Sequence, residues 1–230
     1  MTKSDRIKKL VTATLASTTL GLFANTTNAA MIMTLTDNVT LASVVIHDNN
    51  ALEGDTNANA GAMTFAGTIG SWSGAITTGR SNAPGTPWLA FIAFNSIELT
   101  SSGPGSITLT LTDDFLSPVG INLGALTRIG GTTDGTVSAS SFFNGTNSLI
   151  NLGSFSTPSF NATGNSSLSP AGPFSLTNSV TVEYGAGGGS SGFNMRTEIP
   201  EPTTLGLLGI GLIGLGLARR KSGRGQAVSV

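Results

Sequence analysis

The chain has 230 residues and a formal net charge of −1, and it contains no cysteine. The lack of cysteine excludes disulfide bonds and thiol catalysis. The charge is unevenly distributed: both ends are basic, whereas residues 31–200 hold ten carboxylates, three arginines and no lysine, a net charge of −7. An acidic middle repels a phosphate backbone, so we expect no nucleic-acid partner. The roughly 170 residues between the ends are enough for one domain with a single core.

The N-terminal thirty residues have the three-part order of a secretory signal peptide. A positive start is followed by an uncharged, largely apolar stretch, 10–24, and then by small residues. We therefore predict a signal peptide at 1–30, cleaved by signal peptidase after Ala29 or Ala30 during export through the Sec translocon. The alternative, a short amphipathic helix of the mature protein, is disfavoured because the stretch lacks a sustained polar face. The positive residues are Lys3, Arg6, Lys8 and Lys9.

A second apolar segment stands near the C-terminus, between a proline–glutamate–proline tripeptide and a basic cluster. Residues 203–218 carry no charge, and as a helix they would be about 24 Å long, just under the usual span of a bilayer. We predict a short transmembrane helix here, and the prolines prevent it from extending back into the preceding domain. The tripeptide is Pro200, Glu201 and Pro202, and the basic cluster is Arg219, Arg220 and Lys221.

This order of tripeptide, Gly/Leu-rich helix and basic stop resembles the PEP-CTERM sorting signal of Gram-negative bacteria. The resemblance covers residues 199–221, with Ile199 where valine is common. It implies that an exosortase, a membrane-embedded enzyme, recognises the tripeptide and removes the helix. We assign 199–222 to the sorting signal and 223–230 to a short cytoplasmic tail beyond the basic stop. The alternative is a plain C-terminal membrane anchor.

One motif inside the apolar segment does not carry its usual meaning. Residues 209–214 spell GxGxxG, which in dinucleotide-binding proteins follows a strand and opens a soluble helix. Here the motif is wholly apolar and is followed by the basic cluster, so we expect no nucleotide there and no cofactor.

The middle of the chain, 31–198, is rich in Gly, Ser, Thr and Asn and contains short runs of alternating apolar and polar residues. This period of two predicts half-buried strands, with threonines on their outward faces. We predict one all-β domain, an antiparallel, jelly-roll-like β-sandwich of eight to eleven strands. A β-solenoid is the alternative, but no repeat period supports it. The clearest runs are 31–36, 43–47, 89–94, 106–112 and 179–184.

The groups that could perform chemistry are scattered along this domain. His47, the single histidine, stands at the end of a predicted strand, where a structural histidine is the favoured interpretation. Asp113 and Asp114 are adjacent, so on a strand they point to opposite faces, and we predict that they end the strand and cap a turn before Phe115. No spacing pairs two carboxylates for glycosidase chemistry, and we predict no enzyme. The other carboxylates considered are Glu98, Asp134 and Glu183.

An oxygen-rich loop carries the candidates for a metal site. Asp55, Asn57 and Asn59 occupy positions one, three and five of an EF-hand-like register. The register then fails, because Ala60 replaces the required glycine and Ala66 replaces the bidentate glutamate, so a polar loop is the favoured interpretation. Aromatic side chains that could stack on a sugar are few: Trp72, Trp88 and Tyr184.

Two functional hypotheses follow. The first is an exported, non-enzymatic protein of the cell surface or an extracellular polysaccharide matrix; its precursor is tethered in the inner membrane, with the acidic domain in the periplasm and both basic ends in the cytoplasm. The surface or matrix role comes from the PEP-CTERM resemblance. The competing hypothesis is a secreted carbohydrate-binding or calcium-dependent adhesive protein that binds glycans through the sandwich.

Overall fold

A computed structural model of the chain describes residues 31–82, 90–116, 122–145 and 147–200, without the side chains of 75–78. The predicted signal peptide, with Ala29 and Ala30, lies outside the described residues. So do Glu201, Pro202, the predicted transmembrane helix, the basic residues Arg219, Arg220 and Lys221, and Trp88. Within the described ranges, no helix has the length and apolar character that a bilayer crossing requires.

The described residues form twelve β-strands and one short 3-10 helix, Ala51–Glu53. This confirms the predicted all-β class. The strands are β1 Ile32–Asp37, β2 Ser43–His47, β3 Ala62–Ile69, β4 Trp72–Ser81, β5 Phe91–Ser101, β6 Gly105–Phe115, β7 Leu123–Thr133, β8 Thr136–Phe143, β9 Asn147–Phe155, β10 Ser159–Leu168, β11 Phe174–Tyr184 and β12 Gly189–Glu198.

The strands form two six-stranded antiparallel sheets. Sheet A has the order β2-β1-β6-β11-β8-β9, and sheet B has the order β10-β7-β12-β5-β4-β3. From β5 onward, every connection except that of the β8–β9 hairpin passes from one sheet to the other. This alternation is the jelly-roll-like sandwich that the sequence predicted.

The core lies between the sheets and is built by strict alternation. On β6, Ile107, Leu109 and Leu111 are fully buried, while the threonines between them lie on the outer face of sheet A. Burying one such apolar side chain contributes about 1.5–3 kcal/mol. The inward-facing apolar residues of each strand therefore stabilise the packing of one sheet on the other. β5 is an interior strand of sheet B, as the apolar run from residue 89 predicted, and Ile92 and Phe94 are fully buried.

The number of strands exceeds the expected eight to eleven. The additional strands are found where alternation is weakest, in β9 and β10, which are rich in serine, asparagine and glycine. β9 is an edge of sheet A and β10 is an edge of sheet B. A strand with a solvated edge needs fewer apolar residues, so its periodic signal is weak.

A buried polar network joins the two sheets, contrary to the expectation that threonines line only the outward faces. Asn178 of sheet A donates from Nδ2 to the Ile92 carbonyl (3.3 Å) and accepts at Oδ1 from the Thr197 hydroxyl (2.5 Å). Thr197 also bonds to Thr127 (2.9 Å), and Thr127 bonds to Ser141 (3.0 Å). All four side chains of this network are fully buried, so every hydroxyl and amide must be paired within it.

Candidate functional site

The proline–glutamate–proline segment starts directly at the surface of the folded domain. β12 ends at Glu198, and the next side chain, Ile199, is 1% exposed in the core. The Ile199 amide donates to the Ala90 carbonyl at 2.8 Å, and Pro200 is exposed. Proline lacks an amide hydrogen, so it cannot continue the ladder at this position. The described core therefore extends to Ile199, the residue before the tripeptide.

Glu198, at the end of β12, forms a small ionic cluster on the outer face of sheet B. Its carboxylate lies 2.7 Å from the Arg196 Nε and 3.8 Å from Arg128 on the neighbouring strand β7. The Arg196 guanidinium also lies over the Phe91 ring, 4.3 Å from its centre. These contacts hold the last residues of β12 against β5 and β7. Because the arginine side chains are largely exposed, each ion pair contributes at most about 1 kcal/mol.

His47 is the last residue of β2, as predicted, and its ring is bound to a carboxylate. Nδ1 donates to Glu53 Oε2 at 2.5 Å, and the His47 amide donates to the same oxygen at 3.1 Å. The hydrogen bond from the ring holds the pKa of Glu53 below its usual value. No serine or threonine hydroxyl of the described residues bonds to this ring. His47 therefore anchors the turn after β2 through its bonds to Glu53.

The oxygen atoms of the candidate calcium loop are used as acceptors for the backbone. Asp55 is 2% exposed, and its carboxylate accepts from the amides of Asn49, Asn57 and Thr64 at 2.9–3.0 Å. Asn57 Oδ1 accepts from Asn59. These bonds build an Asx-type turn in which Asp55 stabilises the loop before β3. Within the described ranges, no three His, Cys, Asp or Glu side chains are arranged to hold a metal ion.

Asp113 and Asp114 point to opposite faces of β6, as predicted, but they do not end it. β6 continues through Phe115, and both aspartates pair with β11. Asp113 is fully buried; Oδ1 accepts from the Asp114 amide at 2.8 Å, and the Oδ2 atom is buried with no hydrogen-bond partner. Burial raises the pKa of Asp113 to about 6, against hydrogen bonds from Ser81 and the Asp114 amide. Asp113 stands two residues after Leu111 and so continues the buried face of β6. This alternation is the feature of the sequence that indicates its burial.

Two of the three aromatic side chains considered as sugar platforms lie in the core. Trp72 is 1% exposed and Tyr184 is 3% exposed, and their rings stack on each other with centres 5.0 Å apart. The Tyr184 hydroxyl bonds to Ser191 at 2.8 Å and to the Leu99 carbonyl at 3.2 Å. Both residues alternate inward on their strands and pack between the sheets. They cannot meet a ligand at the surface, and the sugar-platform interpretation is wrong for them.

The outer face of sheet B carries two open depressions. One, of about 400 Å³, is lined by neutral residues of β3, β4 and β5 together with Glu98. The other, of about 310 Å³, lies across β5, β12 and β7 and is lined by the polar residues Asn95, Arg128, Asn194 and Arg196.

The remaining candidate carboxylates lie on separate elements of the fold. Glu98 and Glu183 lie on different sheets, and Asp134 lies in the β7–β8 turn, where it accepts from the Ser190 amide at 2.9 Å. The three carboxylates are therefore not brought together.

Comparison with solved structures returns β-rich proteins at low similarity. A family 35 carbohydrate-binding module from Clostridium thermocellum is 14% identical, over 46% of this chain and 90% of that one, with a TM-score of 0.25. A family 29 carbohydrate-binding module from Piromyces equi is 14% identical, over 56% and 91%, with a TM-score of 0.25. The enzymatically active domain of tailspike protein 4 from bacteriophage CBA120 is 15% identical, over 56% and 19%, with a TM-score of 0.30. At these scores the likeness supports no inference about a ligand or an activity of this chain.

The C-terminal segment does match a known family. No curated protein matches the chain as a whole. The family model of the PEP-CTERM protein-sorting motif matches residues 198–221, from the last residue of β12 through the basic cluster. The chain therefore carries a C-terminal PEP-CTERM protein-sorting motif, the mark of an exported protein that is sorted through this end.

Proposed function

We propose that this protein is a non-catalytic cell-surface or extracellular-matrix protein whose precursor is cut by an exosortase at Pro200, Glu201 and Pro202. Processing removes the apolar segment and the basic stop and releases the β-sandwich from the membrane. The sorting motif, at 198–221, carries this proposal. The proposal further holds that the released domain stays at the cell surface or in the extracellular matrix.

The geometry at the end of β12 supports this division of the chain. Ile199 is the last buried side chain of the part that the structure describes, and Pro200 is already exposed. Cleavage within or after the tripeptide leaves β12 and its Ile199 amide bond intact, so the released domain loses none of its described core. Because no spacer separates the domain from the tripeptide, the processing enzyme must work against the rim of the sandwich.

The state of the titratable groups supports a non-catalytic role. The His47 ring is engaged by Glu53, and the Asp55 carboxylate is engaged by three backbone amides. Asp113 is buried away from solvent. Each of these three groups therefore has a role within the fold.

Replacing Glu201 with glutamine tests the processing step. Intact-mass spectrometry of the protein recovered from cells should show a chain that lacks about thirty C-terminal residues in the wild type. The Glu201→Gln variant should be processed at least about tenfold less, because losing a charge-assisted hydrogen bond costs about 1.5–3 kcal/mol. The matched control is Glu98→Gln, which changes an exposed glutamate of sheet B and should be processed normally.

A strain without exosortase provides the second arm of this test. It should accumulate the full C-terminus of both the wild type and Glu98→Gln. If the wild-type protein keeps its final thirty residues in a strain with active exosortase, the processing proposal is wrong. The same spectra report the N-terminus, so they also test cleavage after Ala29 or Ala30.

A further inference from the structure

The three arginines of residues 31–200 lie in one row across the outer face of sheet B. Arg80 on β4 pairs with Ala93 on β5, Ala93 pairs with Arg196 on β12, and Arg196 pairs with Arg128 on β7. All three arginine side chains are exposed. We call Arg80, Arg196 and Arg128 the arginine row. They are far apart in the sequence, and only the strand register brings them together.

The spacing within the arginine row follows from the sheet. Neighbouring strands lie about 4.8 Å apart, so the backbones at Arg196 and Arg128 are about 5 Å apart, and Arg80 is about 10 Å from Arg196. Ala93 stands in the gap between Arg80 and Arg196, and its methyl group is too short to cover the guanidinium groups. The row therefore presents a pair of cations and, two strands away, a third.

Charge is segregated between this face and the rest of the domain. Only two carboxylates of the described residues, Glu98 and Glu198, lie on the outer face of sheet B. The other eight described carboxylates lie on sheet A, in the 3-10 helix or in loops, and none of them forms an ion pair with an arginine of the described ranges. The outer face of sheet B is thus the one cationic region in a domain with a net charge of −7.

Groups suited to a sugar surround the arginine row. The depression of about 310 Å³ places Asn95 and Asn194 beside Arg128 and Arg196. Asn194 Oδ1 accepts from the Ser96 amide at 2.6 Å, so the amide group that remains is a hydrogen-bond donor. Phe91 lies under the Arg196 guanidinium and is half-buried, which leaves part of an aromatic ring beside the row.

Arg80 differs from the other two arginines in its partners. Arg128 and Arg196 share the Glu198 carboxylate, which holds their guanidinium groups in place. Arg80 forms no ion pair with a carboxylate of the described residues. It is therefore the arginine whose charge is least compensated and whose replacement least disturbs the fold.

We propose that the outer face of sheet B binds an acidic polysaccharide, with the arginine row pairing the carboxylates of successive uronate-type sugars. A guanidinium group binds a carboxylate through two parallel hydrogen bonds, and spaced cations match charges that are spaced along a chain. Asn95 and Asn194 bond sugar hydroxyls, and the part of the Phe91 ring that Arg196 leaves uncovered contacts an apolar sugar face. A nucleic acid fits less well, because the surrounding carboxylates repel its dense line of phosphates. This inference concerns the folded domain and holds whether or not the tail is processed.

Binding to polygalacturonate tests the proposal, with its fully methyl-esterified form as the uncharged probe. Affinity electrophoresis or titration calorimetry of the protein recovered from cells should show binding to the acidic polymer alone, weakened by salt. Arg80→Gln should lower the affinity about three- to fivefold, and Arg128→Gln with Arg196→Gln should lower it about tenfold or more, since each exposed arginine–carboxylate pair is weakened by solvent and two pairs are lost in the double variant. Arg196→Lys keeps the positive charge but loses the planar guanidinium group that can form two parallel hydrogen bonds, and it should weaken binding less than Arg196→Gln.

Glu183→Gln on sheet A is the control for net charge. It makes the domain less acidic without touching the arginine row, so the affinity should stay within about twofold of the wild type. Three results would each overturn the proposal: no binding to polygalacturonate at low salt, equal binding to the esterified polymer, or wild-type affinity in Arg80→Gln and in the Arg128→Gln/Arg196→Gln variant. Equal or tighter binding of duplex DNA through the same arginines would replace the polysaccharide with a nucleic acid.

Discussion

Replacing Asn178 with alanine is expected to lower the free energy of unfolding by about 3–4 kcal/mol. Asn178 is fully buried between the sheets, and its side chain bonds to Ile92 and Thr197 of sheet B. Alanine leaves a cavity and removes two hydrogen bonds, and each of these changes costs about 1–3 kcal/mol in a protein interior.

The loss of stability affects the whole network because each hydroxyl in it must donate in one fixed direction. The Thr197 hydroxyl donates to Asn178, so Thr127 must donate to Thr197, and Ser141 must donate to Thr127. Removing the Asn178 acceptor leaves the Thr197 proton without its partner in a site that excludes water. A buried unpaired donor is costly, so the loss should exceed that of an ordinary hydrogen bond.

Urea unfolding of the recovered protein measures this prediction. The transition midpoint should fall with little change in the slope of the free energy against urea. Ser179→Ala is the matched control: Ser179 follows Asn178 on β11 and is only partly buried on the other face, so its replacement should cost less than about 0.5 kcal/mol. Equal effects of the two substitutions would contradict a stabilising role of the network.

Replacing Asp113 with asparagine should stabilise the domain above pH 6 and have little effect at pH 4. Burial, together with the charges of Asp114 and Asp48, raises the pKa of Asp113 to about 6, against hydrogen bonds from Ser81 and the Asp114 amide. The carboxyl of an unfolded chain titrates near 3.8. The folded state therefore binds the proton more tightly than the unfolded state does.

The direction of the pH dependence follows from this difference. Between pH 3.8 and about 6 the folded domain holds more protons than the unfolded chain, so the free energy of unfolding falls as the pH rises. The contribution of Asp113 to this fall is about 3 kcal/mol and is complete above pH 6. Asparagine has no charge to bury, so Asp113→Asn should be about 1–3 kcal/mol more stable than the wild type at pH 7.5.

Unfolding curves at pH 4 and pH 7.5 check this prediction. Asp48, whose pKa burial also raises, is present in both proteins, so the difference between variant and wild type reports the effect of the Asp113 charge, including its repulsion of Asp48. Glu183→Gln serves as the control, since Glu183 is exposed on β11 and its charge is not among those that raise the pKa of Asp113. A lower stability of Asp113→Asn at pH 7.5 would contradict this prediction. It would mean that contacts other than the described hydrogen bonds stabilise the buried charge of Asp113.

Local pattern predicted much of the fold. The alternation around Ile107, Leu109 and Leu111 predicted both β6 and its buried face, because a strand of period two has only two faces and an apolar set must occupy one of them. The pair Asn144 and Gly145 lies in the turn between β8 and β9, where both residues have the positive φ that an Asn-Gly pair favours. Edge strands such as β10 were not predicted, because a strand that is largely exposed to solvent needs no alternation of apolar and polar residues.

The sequence alone determined the sorting signal, since a tripeptide, an apolar segment and a basic cluster are contiguous and require no fold to be recognised. It also determined the all-β class and the positions of five strands, β1, β2, β5, β6 and β11. Only the tertiary structure decided that Trp72 and Tyr184 are interior, that Asn178 and Thr127 join the sheets, and that Arg80, Arg128 and Arg196 form one row. The physical reason is that these features depend on which strands pair and in what register, and such long-range pairing leaves no trace in local periodicity.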